Sequence, residues 1–355
     1  MQRIGRYLYA AARDAIFNPP LASEGIEVPL SEEEQSDDGF QPKLEDIEEV
    51  KKIFLEELLL PLELVVNIVD FAEYWPHTTG IMWAGEEDSL YVRTGDRREN
   101  CLVVRTPPLG FEPLQAWKTR VVSNHEGTKT STEVGPELEG TGRYPWSIDS
   151  APRSVNRETD DNHLTKRIIE DWEKLSTTRG RPCRKVVFTI ESHDQGWGGS
   201  AVDKGTFRGS FTWFDVGLER MSAFRADDDH IDDPGTDLDS EYPINCGSRM
   251  IIPRPRNPSS PEFPLLPERT CLQKNLTSTK FATKHEIIWR ATDNIQPDSQ
   301  EGDQLEEQGR GRDTLNGEFV RNLKMGDIIT VWAKARFPGW CNVVESVKVD
   351  VYWAE

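Results

Sequence analysis

The chain has 355 residues, of which 36% are hydrophobic, and its formal net charge is −20 at pH 7. This charge repels phosphate backbones and excludes nucleic acid as an expected partner. No run of about 18 apolar residues occurs, so no helix is expected to span a membrane. The five cysteines are scattered without a Cys-x-x-Cys pair, which favours a reducing cytoplasmic or nuclear compartment and gives no reason to expect a metal or a cofactor.

Residues 1–50 predict a short basic helix followed by an acidic, flexible linker. The first 17 residues contain three arginines among apolar side chains, a pattern that also fits a mitochondrial presequence. The acidic runs Glu32–Glu34 and Asp37–Asp38 follow, and such a composition is typical of a solvated linker.

Residues 51–76 predict a helical segment. From about Leu44 the apolar residues repeat every three or four positions, and Pro61 stands where a second helix can begin. Pro76 then stops the helical pattern. The remainder, residues 77–355, reads as one β domain.

Beyond Pro76 the apolar period changes to two, which predicts strands. The predicted strands are 89–94, 101–106, 185–192, 206–215, 283–291, 317–323, 327–337 and 343–353. The polar residues 95–100 predict a hairpin turn between the first two of these strands. One helix is expected at 162–176, and residues 107–160 and 222–280 read as long polar loops.

This pattern predicts a mainly β fold: an antiparallel β-sandwich or jelly roll, preceded by an N-terminal helical segment. No helices alternate regularly with the strands, which argues against a parallel α/β sheet.

Two Gly-Trp loops follow predicted strands, and each combines polar side chains with an indole ring. Hydrogen-bonding groups beside a flat aromatic face suit a sugar ring or a protein ligand, so we expect a binding rim if the loops meet. The predicted ligand-binding residues are His193, Asp194, Gln195, Trp197, Arg336, Trp340 and Asn342. In the alternative interpretation, Trp197 and Trp340 plug the end of the sandwich, and their polar neighbours bond the turn backbones.

Catalysis is a second hypothesis, in which a hydrolase or transferase uses His193. Ser192, His193 and Asp194 are adjacent, but neighbouring strand residues point to opposite faces and cannot form a relay. A distant nucleophile such as Cys341 is compatible with the pattern. No residue is assigned a catalytic role, and a purely structural subunit of a larger assembly is a third reading.

For two local motifs we expect no specific binding or modification. The acidic residues between Asp227 and Glu241 match no calcium-binding spacing, so we expect a solvated loop there. Asn275-Leu276-Thr277 is a glycosylation sequon, which we interpret as accidental because no signal peptide precedes it.

The run Leu60-Pro61-Leu62-Glu63-Leu64, followed by an apolar helix, resembles the opening of an F-box. The resemblance implies docking onto the Skp1 adaptor of ubiquitin ligases. On this reading the partner-binding residues are Leu62, Leu64, Val65, Ile68 and Val69. The same residues could instead pack back on the β domain.

The larger part of the chain resembles a group of uncharacterised fungal proteins. The resemblance lies in His193-Asp194-Gln195-Gly196-Trp197 and in Val331–Trp340, whose sequence is VWAKARFPGW. A short F-box-like helix before a β-sandwich is also similar in architecture to sugar-recognising F-box proteins and phloem lectins. We therefore expect a non-catalytic binding or adaptor protein whose rim recognises a glycan or a protein ligand.

Overall fold

A computed structural model describes residues 41–83, 89–94, 99–110, 117–121, 132–134, 182–225, 244–252 and 264–354. Residues 42–355 belong to one compact unit. Within the described ranges, no helix combines the length and the apolar character needed to cross a membrane. The predicted basic helix of the first residues, its acidic linker and the predicted helix at 162–176 lie outside the described residues.

The predicted helical segment is confirmed. Helix α1 is Leu44–Lys52 and continues into a π-helical turn at Ile53–Glu57. Helix α2 is Leu62–Phe71 and begins directly after Pro61, whose fixed φ suits a helix start. Two short helices lie much later in the chain, α3 at Gln300–Glu307 and α4 at Glu318–Asn322.

The described residues contain twelve strands. Their bounds are β1 His77–Trp83, β2 Leu90–Arg93, β3 Asn100–Arg105, β4 Trp117–Val121, β5 Thr132–Val134, β6 Cys183–His193, β7 Thr212–Arg225, β8 Ile244–Ile252, β9 Cys271–Lys274, β10 Thr283–Arg290, β11 Ile328–Ala335 and β12 Cys341–Trp353.

These strands form two sheets. The first has seven strands in the order β10-β6-β12-β1-β4-β5, and β2 also pairs with β12. The second has five strands in the order β3-β11-β7-β8, and β9 also pairs with β7. All pairs are antiparallel except β1 with β4, which are parallel.

Side chains from both sheets form one hydrophobic cluster. The first sheet contributes Phe188, Ile190 and Val349, and the second contributes Val331 and Phe214. The predicted mainly β fold with antiparallel sheets and a short N-terminal helical segment is therefore confirmed. The finer assignment as a sandwich or jelly roll stays a prediction.

The predicted hairpin between the first two strands is wrong. Strand β2 pairs with β12 of the first sheet, whereas β3 pairs with β11 of the second. The residues between them therefore connect the two sheets. Local turn chemistry cannot reveal this, because the true partners lie more than 200 residues downstream.

Two other predicted strands need correction. Residues 206–211 form a loop, and the strand begins only at Thr212, because Gly205 and Gly209 adopt positive φ values of 71° and 62°. Residues 317–323 contain helix α4 instead of a strand. The supposed long loops at 107–160 and 222–280 contain β4, β5, β8 and β9.

Candidate functional site

The two Gly-Trp loops meet in space. Strands β6 and β12 are antiparallel neighbours, with Val343 opposite His193, so the end of one strand adjoins the start of the other. The Gln195 carboxamide then bridges the loops, because its Oε1 accepts the N–H of Cys341 at 3.0 Å. We call the surface built by residues 194–210, 275–281 and 337–340 the rim.

Asp194 organises the rim from inside. Its side chain is fully buried and accepts backbone N–H groups from Gly196 at 2.7 Å, Ser278 at 2.5 Å and Thr279 at 2.9 Å. Burial raises the pKa of Asp194 above its ordinary value, while the three N–H groups partly oppose that rise. This carboxylate fastens the segment near Ser278 to the Gly-Trp loop and faces no solvent.

Asn342 and Asn275 form a buried amide pair beneath the rim. Nδ2 of Asn275 donates to Oδ1 of Asn342 at 2.9 Å, and Nδ2 of Asn342 donates to the carbonyl of Trp213 at 3.1 Å. Oδ1 of Asn275 accepts the Ser192 hydroxyl at 2.7 Å. The asparagine of the sequon is therefore a buried structural residue, which agrees with its interpretation as accidental.

Arg336 is also structural. It is buried, its Nη1 donates to the carbonyls of Glu99 and Ala335, and its Nη2 donates to Asn100. Its guanidinium carbon lies 5.3 Å from the centre of the Trp213 ring. Burial lowers the pKa of Arg336, and the nearby carboxylates of Glu99 and Asp215 partly oppose this.

The two indoles have opposite environments. Trp340 is 9% exposed and packs edge-on against Phe211 at 5.0 Å between ring centroids. Trp197 is 63% exposed, and its ring lies over Gly339, where an added Cβ would come within 3.1 Å of Cη2. Gly339 has a φ of 90°, so the backbone favours glycine there, and an added Cβ would also crowd the indole. Trp340 is therefore buried against the protein interior, whereas Trp197 is exposed to solvent.

The contacts of His193 and Cys341 do not assemble a nucleophile with a base. Nδ1 of His193 lies 2.6 Å from the Asp194 carbonyl, and its Nε2 lies 3.4 Å from Glu345. The Cys341 thiol is directed at the backbone carbonyl of Asn342, and burial raises its pKa, with partial opposition from Arg93. A protonated, buried thiol is a poor nucleophile.

The predicted ligand-binding residues thus divide into two groups. Four are buried and packed or hydrogen-bonded within the protein: Asp194, Arg336, Trp340 and Asn342. Three remain partly or largely accessible: His193, Gln195 and Trp197. The prediction from the sequence did not include two large exposed aromatic side chains of the rim, Phe281 and Phe337. The second of these stood next to the Pro-Gly-Trp motif, which was a usable signal.

The predicted partner-binding residues divide in the same way. Val65 and Val69 are buried, whereas Leu62, Leu64 and Ile68 are exposed. Phe71 is 82% exposed, and it lies on the same helical face as Leu64 and Ile68 because the three are spaced at i, i+4 and i+7. We call these three side chains the apolar stripe of α2. The exposed residues Leu58 and Leu59 lie a few positions before this helix.

Ion pairs fix the helical segment to the first sheet. Asp70 accepts the Nε–H of Arg184 at 3.1 Å, and Glu73 accepts from Lys185 at 2.5 Å and also from Arg290. Burial is the largest single influence on the pKa of Glu73 and raises it, but Lys185 and Arg290 together hold it below its ordinary value. The stripe is therefore carried on an anchored helix.

No family model, no curated protein and no solved structure matches this chain. Among the described residues, no group of three or more His, Cys, Asp or Glu side chains is arranged to hold a metal ion. The case for a function therefore rests on the two surfaces described above.

Proposed function

We propose that this protein is a non-catalytic adaptor that docks a partner protein through the apolar stripe of α2. The supporting observation is that Leu64, Ile68 and Phe71 are exposed along one face of an anchored helix. Helix-in-groove recognition uses apolar anchors with this i, i+4, i+7 spacing. Exposed contiguous apolar patches of this kind mark interaction sites in soluble proteins.

The proposed partner is a Skp1-type adaptor, as the Leu-Pro-Leu-Glu-Leu opening implies. One departure from the F-box pattern is visible: strand β1 begins at His77, six residues after α2 ends at Phe71, so no further helix follows directly. Docking would therefore depend on α2 and on the preceding residues Leu58 and Leu59.

Purified full-length chain and a purified Skp1-type adaptor test this proposal by calorimetry. Ile68→Lys and Phe71→Lys should each weaken binding by about tenfold or more, because they remove apolar anchors. Lysine is a good helix former, and at Phe71 it lies near the helix C-terminus, where a cation is favourable. The fold should therefore survive, which circular dichroism checks.

The matched control is Val202→Lys, which alters an apolar side chain on the rim that is as exposed as Phe71. Its affinity for the adaptor should equal that of the unchanged chain. Absence of measurable binding, or equal loss in the control and stripe variants, would contradict the proposal.

The rim is the second proposed binding surface of this adaptor, and it would select the ligand. Support comes from Trp197, whose ring lies over Gly339 and whose backbone carbonyl accepts from Gln195, and which is largely exposed. An aromatic side chain that is both ordered and accessible provides contact area at little entropic cost. The rim and the stripe belong to different elements, so their ligands can be tested separately.

A further inference from the structure

The outward surface of the rim carries three exposed aromatic side chains, Trp197, Phe281 and Phe337. Trp197 lies over Gly339, and Phe337 is two residues before that glycine. On the other side, a Cβ added at Gly196 would lie 2.7 Å from Cβ of Lys280, which places Lys280 and the adjoining Phe281 beside the Trp197 loop. Phe281 is 71% exposed and Phe337 is 42% exposed.

The backbone places the Phe337 ring at a conformational cost. Phe337 adopts a positive φ of 67°, which is an uncommon conformation for a bulky side chain. Its ring packs edge-on against Phe211 at 4.6 Å between centroids. Strain of this kind persists where the surrounding structure enforces it, and it concentrates at functional sites.

The charge of the rim is opposite to that of the chain. Three exposed cations occur among its residues, Lys204, Arg208 and Lys280, against the half-buried carboxylate of Asp203 and the fully buried one of Asp194. The Lys280 ammonium lies 5.3 Å above the centre of the Phe281 ring. The chain as a whole carries a net charge of −20, so a local group of cations beside aromatic rings is a distinct electrostatic feature.

Several polar side chains in the rim and beneath it are already used in hydrogen bonds within the protein. The side chains of Asp194, Asn275 and Asn342 form hydrogen bonds with other groups of the protein. Gln195 accepts from Cys341 and donates to the carbonyl of Trp197. A neutral sugar needs free, directed polar groups around its hydroxyls, and these side chains do not supply them. What the rim presents to a ligand is aromatic faces and positive charge.

We propose that the rim binds an acidic peptide segment that carries an aromatic or aliphatic anchor. This inference rests on the proposed function of the rim as a binding surface, and it names the ligand class. The anchor would pack on Trp197, Phe281 and Phe337, and the carboxylates would pair with Lys280, Arg208 and Lys204. A short peptide with a few carboxylates meets less repulsion from the net charge of −20 than a nucleic acid, which carries a charge on every phosphate.

Fluorescence anisotropy with the full chain and three labelled synthetic peptides tests this proposal. The first peptide flanks a Phe and a Leu with Asp and Glu, the second replaces the acids with Lys, and the third keeps the acids but replaces the two anchors with Ser. Only the first should bind well. The second should bind at least about tenfold more weakly, and so should the third.

Two rim variants locate the binding. Trp197→Ala should weaken binding of the first peptide by about tenfold or more, because it removes an aromatic anchor from the surface. Lys280→Glu should also weaken binding of the first peptide, because repulsion replaces attraction. This loss of affinity should grow as the salt concentration falls, since the repulsion is then less screened. Both residues are exposed, so folding should be unaffected.

Lys52→Glu is the charge-matched control, because this exposed lysine of α1 makes the same charge change outside the rim. It should leave peptide affinity unchanged within about twofold. Equal losses in Lys52→Glu and Lys280→Glu would show that overall charge, and not the rim, governs binding, and would overturn the proposal.

A panel of neutral glycans and a single-stranded oligonucleotide complete the test. If a glycan or the oligonucleotide binds in a Trp197-dependent way and the acidic peptide does not, the rim remains a binding surface and the ligand class is wrong. If no probe binds while the stripe variants still affect adaptor docking, the proposed role of the rim fails together with its ligand.

Discussion

At the scale of single residues, polar side chains that look like recognition groups in the sequence serve mainly to fasten loops. Asp194 stands in a polar motif, yet it is buried and accepts three backbone N–H groups. The identity of a residue shows which hydrogen bonds it can make. It does not show whether a backbone group or a ligand supplies the partner.

Asp194→Asn should destabilise the protein by about 2 kcal/mol, because hydrogen bonds to a charged acceptor contribute roughly this much. The new amide N–H group would also face a backbone N–H donor, either that of Ser278 or those of Gly196 and Thr279. Urea unfolding measures the loss, and hydrogen exchange should show faster exchange at Ser278 and Thr279. Asp298→Asn, at an exposed carboxylate, should leave stability within about 0.5 kcal/mol of the unchanged chain.

His285 provides a pH dependence at a single residue. Burial, helped by the charge of Arg310, lowers the pKa of His285 to about 4 from an ordinary value of 6.5. The unfolded chain therefore takes up a proton at this residue before the folded chain does. Its contribution to stability is present above pH 6.5 and is lost as the pH falls towards 4.

His285→Gln should remove this component and flatten the decline of stability between those two pH values, by an amount on the order of 2 kcal/mol after allowance for the partial exposure of the ring. Urea unfolding across the pH range measures it. The neighbouring exposed residue offers a control, since Lys284→Gln should leave the slope unchanged. An unchanged slope in His285→Gln would mean that the ring does not carry this acid sensitivity.

At the scale of elements, strands that alternate in polarity were predictable, and their partners were not. In β6 and β12, buried residues such as Ile190 and Val349 alternate with more exposed ones, so period-two reasoning found both strands. In contrast, Phe319, Val320 and Leu323 are spaced at three and four positions, which favours a helix over the predicted strand, and the run forms α4. The hairpin error arose because β2 and β3 each pair with a strand far downstream.

Helix α2 allows a paired test of which side chains stabilise the fold and which are free to bind. Val65→Ala should cost about 2 kcal/mol, because Val65 is fully buried and its truncation leaves a cavity. Leu64→Ala, one position earlier and half exposed, should change stability by less than about 0.5 kcal/mol. Denaturant titration measures both. Equal losses would mean that the stripe is part of the core and would weaken the docking proposal.

At the scale of the whole molecule, the mainly β class followed from the many alternating strands, but the position of the rim did not. The rim exists because β6 and β12 are neighbours, which brings residues near Gln195 and Cys341 together across 146 positions of sequence. Two Gly-Trp motifs can be recognised in the sequence, but their proximity in the fold cannot be predicted from it. Strand order is set by tertiary packing, which one sequence does not reveal.

The net charge of −20 predicts a further property of the whole chain. Repulsion among like charges destabilises the compact state, and added salt screens it. The urea midpoint should therefore rise when NaCl increases from about 10 mM to about 150 mM. A falling midpoint would mean that ion pairs such as those of Glu73 dominate over the general repulsion.

The turn at Phe337–Trp340 joins β11 of the second sheet to β12 of the first, and Trp197 follows β6 of the first sheet. A ligand that contacts both Trp197 and Phe337 would therefore bridge segments that follow strands of the two sheets. Separation of the sheets would then require the ligand to leave first. Bound ligand should consequently slow unfolding as well as shift its equilibrium, so that the lifetime of the native state itself reports occupancy of the rim.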